Sequence, residues 1–178
     1  MRISGTWAVL GTAIGVFALG APAASPALAS PTPNISFYTQ GASTASWLPN
    51  HSAVQLTVPD KSSYAIVVFH HVSSAIPTTA PSFTAPQYAS GSPRWYIQLS
   101  TGPYLFGYPG DDWNVNECAG VNNGTNYTYT QAIAALSNCD SADASVSAVY
   151  IVADSSQPVP ATDVISAIQY NSVAFTNS

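Results

Sequence analysis

His51, His70 and His71 are the three histidines of the chain, and with the many serines and aspartates they are the material from which a hydrolytic site could be built. His70 and His71 end an apolar run that reads as a strand. Successive strand side chains point to opposite faces, so both cannot serve one metal or one substrate. Each is expected to be a structural histidine at a sheet rim, with His51 in a loop. A Ser/His/Asp assembly stays open on inventory, but serine and aspartate are too abundant to select any set. The chain has no G-x-S-x-G, H-E-x-x-H, G-x-G-x-x-G or phosphate-loop pattern. Cleavage of a glycosidic bond usually needs two carboxylates, and Glu117 is the single glutamate, so a pair would have to draw on aspartates. Asp111 and Asp112, adjacent in sequence, read as solvated turn residues.

Asp112, Asn114 and Asn116 have the spacing of the first three ligands of a calcium loop, but Glu117 stands where the tight-turn glycine belongs and no glutamate closes the loop. The same three residues are also the polar set of an alternating strand whose other face is Trp113 and Val115, and the strand is the preferred reading. No metal ligand set and no cofactor is assigned, although a calcium ion gathered across loops by Asp111, Asp154 or Asp163 stays open. Cys118 and Cys139 are the only cysteines, and neither has a basic neighbour that would make it a nucleophile. A disulfide between them is expected, contributing about 3 kcal/mol by loop closure. Tyr96, Tyr127, Tyr129 and Tyr170 are the ligand-binding candidates: exposed tyrosines can stack on sugar rings while their hydroxyls bond sugar hydroxyls.

The elements that must position these residues are mostly strands. Arg94 to Leu99 alternates Trp95, Ile97 and Leu99 against Arg94, Tyr96 and Gln98, and Tyr104 to Tyr108 follows a turn, so the pair reads as a hairpin. A two-residue loop at Thr101-Gly102 sets Leu99 opposite Tyr104, Ile97 opposite Phe106 and Trp95 opposite Tyr108, with Leu105 and Gly107 on the other face. Pro103, which has no N–H to close such a turn, leaves a longer loop or an edge strand open. Strands are also expected at Ser36–Gln40, Ala53–Val58, Tyr64–His71, Asp112–Asn116, Ser147–Ala153 and Val164–Tyr170, the last running on toward Phe175. Val72 to Pro93 reads either as a long functional loop or as a connection that holds one further strand near Ser82 to Tyr88. Thr128 and Gln131 have capping-box spacing before the helix formers Ala132 to Leu136, which predicts one short helix. Short strands between turn signals and a single helix point to an all-β fold, an antiparallel sandwich or barrel.

Residues 1–29 have the plan of a signal peptide: Arg2, an apolar run from Trp7 to Leu19, and the small-residue site Ala27-Leu28-Ala29. Residues 30–178 then form one secreted, extracellular domain, with Ser30 to Asn34 as a linker. Lys61 and Arg94 are its only strong bases against eight carboxylates, which disfavours nucleic acid and anionic membranes as partners.

The stretch Tyr104-Leu105-Phe106-Gly107-Tyr108-Pro109, and the segment from Ala148 to Tyr170 with Ile151-Val152-Ala153-Asp154-Ser155 and Ala161-Thr162-Asp163, resemble parts of uncharacterised secreted actinobacterial proteins. The second is also similar to the closing strands of jelly-roll modules in secreted carbohydrate-active proteins. The resemblance covers about the last half of the chain, carries no catalytic signature and transfers no site residue. It implies an all-β, jelly-roll-like antiparallel β-sandwich in an accessory role. The leading expectation is a non-catalytic module that binds an extracellular polysaccharide or cell-wall material. A secreted inhibitor or structural interaction protein presenting the loop from Val72 to Pro93 to a secreted protein is the first alternative. A small hydrolase using His70 or His71 is the second.

Overall fold

The computed structural model describes residues 34–49, 51–118, 121, 126–139 and 144–175. The leader expected over 1–29, Asn50, and most of the Gly- and Asn-rich stretch at 119–125 lie outside them. Eleven strands are found there: β1 (Asn34–Gln40), β2 (Thr44–Trp47), β3 (Ala53–Val58), β4 (Tyr64–His70), β5 (Ser82–Thr84), β6 (Arg94–Leu99), β7 (Tyr104–Tyr108), β8 (Asp112–Asn116), β9 (Val146–Ala153), β10 (Ala161–Tyr170) and β11 (Val173–Ala174). Helix α1 spans Tyr129–Leu136. The strands form a six-stranded sheet in the order β1-β4-β9-β6-β7-β8 and a five-stranded sheet in the order β11-β10-β3-β2, with β5 also paired to β10. Every pairing is antiparallel. The fold is therefore the expected β-sandwich with one short helix.

Alternation along each strand builds the core. Ala65, Val67 and Phe69 of β4, Trp95, Ile97 and Leu99 of β6, and Val149 and Ile151 of β9 point inward from the larger sheet. Val54, Leu56 and Val58 of β3 and Ile165 of β10 meet them from the smaller one, and all belong to a single apolar cluster. The order β9-β6-β7-β8 is a Greek key: three strands joined in sequence, and a fourth returning beside the first. Its return connection holds α1 and the Cys118–Cys139 disulfide, whose Cα atoms are 5.1 Å apart. The capping box is present, with the Thr128 hydroxyl accepting from the Gln131 amide and the Gln131 side chain accepting from the Thr128 amide.

The hairpin corrects one expectation. Trp95 lies opposite Gly107, Tyr96 opposite Phe106, Ile97 opposite Leu105 and Gln98 opposite Tyr104, one residue away from the register of a two-residue loop. A two-residue turn needs an N–H from Pro103, which proline lacks. The loop takes in Ser100 as well. Leu99 N–H donates to the Pro103 carbonyl at 3.0 Å, and Gly102 supplies the return bond to Leu99 at 3.2 Å. Gly102 does this at φ +110°, a conformation that favours glycine. Leu105 and Gly107 consequently face inward, and Tyr104, Phe106 and Tyr108 turn to the outer face. Gly107 is required there, because a Cβ would run into the Trp113 ring on β8.

Smaller differences have similar local causes. β2 arises at Thr44–Trp47, where no strand is expected, and β5, three residues long, is the further strand left open near Ser82 to Tyr88. Asn171 and Ser172, both at positive φ, reverse the chain before β11, so the last strand stops at Tyr170.

Ile97 is fully buried and Gln98 lies on the outer face, so Ile97→Asp should lower unfolding stability by about 4 kcal/mol and Gln98→Asp by about 1 kcal/mol. Denaturant melts of the two variants check this, and equal losses would contradict the register.

Candidate functional site

The outer face of the six-stranded sheet collects the aromatic side chains displaced by the register of β7. Tyr96 of β6, Tyr104, Phe106 and Tyr108 of β7, and Tyr150 of β9 are each half-buried on it. Tyr96 and Tyr104 stack with ring centres 5.1 Å apart and 25° between their planes. Phe106 lies 5.5 Å from Tyr96 and 5.0 Å from Tyr104, Tyr150 lies 5.9 Å from Tyr96, and Tyr88 lies 6.4 Å from Tyr108. These spacings fall in the range of favourable aromatic pairs. The rings form a patch that is clustered rather than coplanar.

Arg94 fixes one end of the patch. Its guanidinium stands 4.6 Å from the centre of the Phe106 ring. It makes a bidentate pair with Asp154, Nη1 to Oδ1 at 3.0 Å and Nη2 to Oδ2 at 2.7 Å, and also donates to Gly91 O and Ser156 Oγ, both at 2.8 Å. Burial pushes the Asp154 carboxyl up, but bonds from Arg94 and Ser156 outweigh it and hold the group below the ordinary carboxylate range. The one ion pair seen among the described residues thus neutralises the arginine on this face.

A polar row borders the other side. Asn116, Asn114 and Asp112 of β8 lie opposite Tyr104, Phe106 and Tyr108. Asp112 Oδ1, Asn114 Oδ1 and Asn116 Nδ2 are buried against these neighbours without a hydrogen-bond partner in the chain. Burial pushes the Tyr108 hydroxyl up, partly countered by Arg94 and a hydrogen bond with Asn114. Tyr96 is raised first by burial and then by Tyr104, Glu117 and Tyr150, and its hydroxyl bonds the Gln98 side chain. Gln98 Nε2 in turn donates to Gly102 O at 2.8 Å, which ties the patch to the β6–β7 loop.

Of the four tyrosines singled out as ligand-binding candidates, Tyr96 joins this cluster. Tyr127 is half-buried at the β8 edge, where its backbone bridges Trp113. Tyr129 and Tyr170 are corrections, being only 5% and 2% exposed. Tyr129 packs on Trp113 with ring centres 4.9 Å apart and donates its hydroxyl to Pro77 O at 2.7 Å. Tyr170 turns inward because a bulge between Ser166 and Gln169, with Ala167 at φ +48°, shifts the alternation of β10. Burial pushes both phenols well up. Tyr104, Phe106, Tyr108 and Tyr150, absent from the candidates, belong to the patch; the missing N–H of Pro103 was the signal for the first three.

The histidines and the long connection give weaker assemblies. His70 Nε2 is 2.7 Å from Ser36 Oγ at an exposed sheet edge, but no hydrogen bond or ion pair joins a histidine to a carboxylate among the described residues. No cluster of three or more metal-ligating side chains occurs among them either. The segment from Val72 to Pro93 lies against the body, with Pro77, Pro81, Phe83, Ala85, Ser92 and Pro93 buried. No helix among the described residues is long and apolar enough to cross a membrane. Comparisons with protein-family models, curated proteins and solved structures returned no match.

Asp163 is the one carboxylate deep in the core among the described residues, 1% exposed, with Gln157 Nε2 donating to its Oδ2 at 2.6 Å. Burial pushes its carboxyl up, and the bond from Gln157 offsets only part of this. The folded state therefore holds the proton more tightly than the unfolded chain. Stability falls as pH rises from the ordinary value of about 3.9 through the raised one. Asp163→Asn should accordingly stabilise the fold near neutral pH, with a gain that shrinks toward pH 4, measured by denaturant melts across that range. A gain independent of pH would contradict the assignment.

Proposed function

We propose that the protein is a secreted, non-catalytic module that binds a neutral polysaccharide or cell-wall glycan on the outer face of its larger sheet. The carrying observation is the contiguity of Tyr150, Tyr96, Tyr104, Phe106 and Tyr108 beside the Asp112, Asn114 and Asn116 row. Sugar rings present apolar C–H faces edged by hydroxyls, and this face offers aromatic surface edged by amides and a carboxylate. Arg94 is neutralised by Asp154 while Asp112 and Glu117 lie nearby, so an acidic glycan would meet net repulsion. The inclination of the rings favours a twisted soluble chain over a flat crystalline surface. Secretion is supported by the leader-like first 29 residues and by a disulfide, which persists in oxidising compartments.

Affinity electrophoresis in soluble neutral glycans, with pull-downs on insoluble ones, tests the reading. The wild type should be retained by at least one soluble glycan. Tyr104→Ala with Phe106→Ala should weaken retention about tenfold or more, a loss of about 1.4 kcal/mol. His70→Ala with His71→Ala should leave it unchanged. Unaltered binding in the aromatic variant would place the ligand elsewhere. Serine acylation by a fluorophosphonate probe, abolished by His70→Ala, would favour a hydrolase instead.

A further inference from the structure

The edges of the two sheets are not alike. At the β8 edge, the backbone of Trp113 exchanges two 2.8 Å hydrogen bonds with Tyr127, so the chain itself occupies that side. In the smaller sheet β2 is four residues long, β5 three and β11 two, too short to template much pairing. β1 is different. It pairs with β4 without interruption from Asn34 to Gln40, contains no charge, proline or bulge, and has no strand on its far side among the described residues. Charges, prolines and bulges are the devices by which monomeric sheets protect an edge.

We propose that β1 pairs antiparallel with the β1 of a second copy of this chain, joining two six-stranded sheets into one. The occupant follows from the residues. If all seven pair, the two-fold axis must pass through Phe37, which sets Asn34 opposite Gln40, Ile35 opposite Thr39, Ser36 opposite Tyr38 and Phe37 opposite itself. Amide meets amide and hydroxyl meets hydroxyl. No charges are opposed, although the whole chain carries a formal net charge of −5. Phe37, packed on one side by Trp47 with ring centres 6.2 Å apart, is only half-buried and gains its own counterpart as a neighbour. Tyr38, 52% exposed and one of two large apolar residues so open among the described residues, gains cover from the strand opposite. The proposal does not depend on the glycan reading.

Sedimentation analysis of the folded unit, Pro31–Ser178, over a concentration series tests it. The wild type should approach twice the chain mass with rising concentration. Ser36→Lys with Tyr38→Lys opposes lysines across the axis and should weaken association about tenfold or more. Ser36→Glu with Tyr38→Lys opposes unlike charges instead and should restore it. Both variants should keep the wild-type circular dichroism spectrum and any glycan binding, which separates this test from that of the aromatic face. A wild type that stays monomeric, or a double-lysine variant that associates as the wild type does, would overturn the proposal.

Discussion

A single missing amide hydrogen, at Pro103, decides which side of β7 meets water. Without it the two-residue turn cannot close, Ser100 joins the loop, and Gly102 makes the bond that the proline cannot. The period of two then turns the whole strand over. Leu105 goes inward, Gly107 admits the Trp113 ring, and Tyr104, Phe106 and Tyr108 come out beside Tyr96. Core packing at one face and the aromatic patch at the other are consequences of the same choice. A shorter loop would bury three large rings and expose the leucine.

The fold class was legible because most strands announce themselves. β6 and β8 alternate cleanly, each inner position being apolar, and the helix is marked by Thr128 and Gln131 before a run of helix formers. What escaped is what periodicity does not encode. β2 is too short to show a period, and β5 was legible only as an open alternative near Ser82 to Tyr88. The hairpin register depended on a backbone donor rather than on any pattern of side chains. Tyr170 reads as outward-facing in an ideal strand, and only the bulge at Ala167 turns it in. Tyr129 follows a helix cap, where the first turn of a helix can present a side chain to core or solvent with equal ease. Of the site, Tyr96 was legible; the rest of the patch waited on the loop length.

Electrostatics has a small and localised part in this molecule. Arg94 and Asp154 form the one ion pair among the described residues, and they hold Phe106, Gly91 and Ser156 together at the end of β6. Elsewhere hydroxyls and amides solvate the surface, and burial of apolar side chains from both sheets supplies the cohesion. An arginine held by two carboxylate bonds and a ring is a rigid strut. It orients the phenylalanine beneath it at small entropic cost.

β9 lies inside the larger sheet between β4 and β6, and β10 inside the smaller one between β3 and the short strands β5 and β11. Both partners of β9, and the longest partner of β10, are made earlier in the chain than the strand that joins them. A growing polypeptide that ends anywhere before Val146 therefore holds fragments of sheet with open edges, and neither layer is complete. Completion of either layer must therefore wait until nearly the whole chain is available. The same order makes late stop codons as damaging as early ones: loss of the last few dozen residues removes the central strands of both layers and leaves no smaller domain behind.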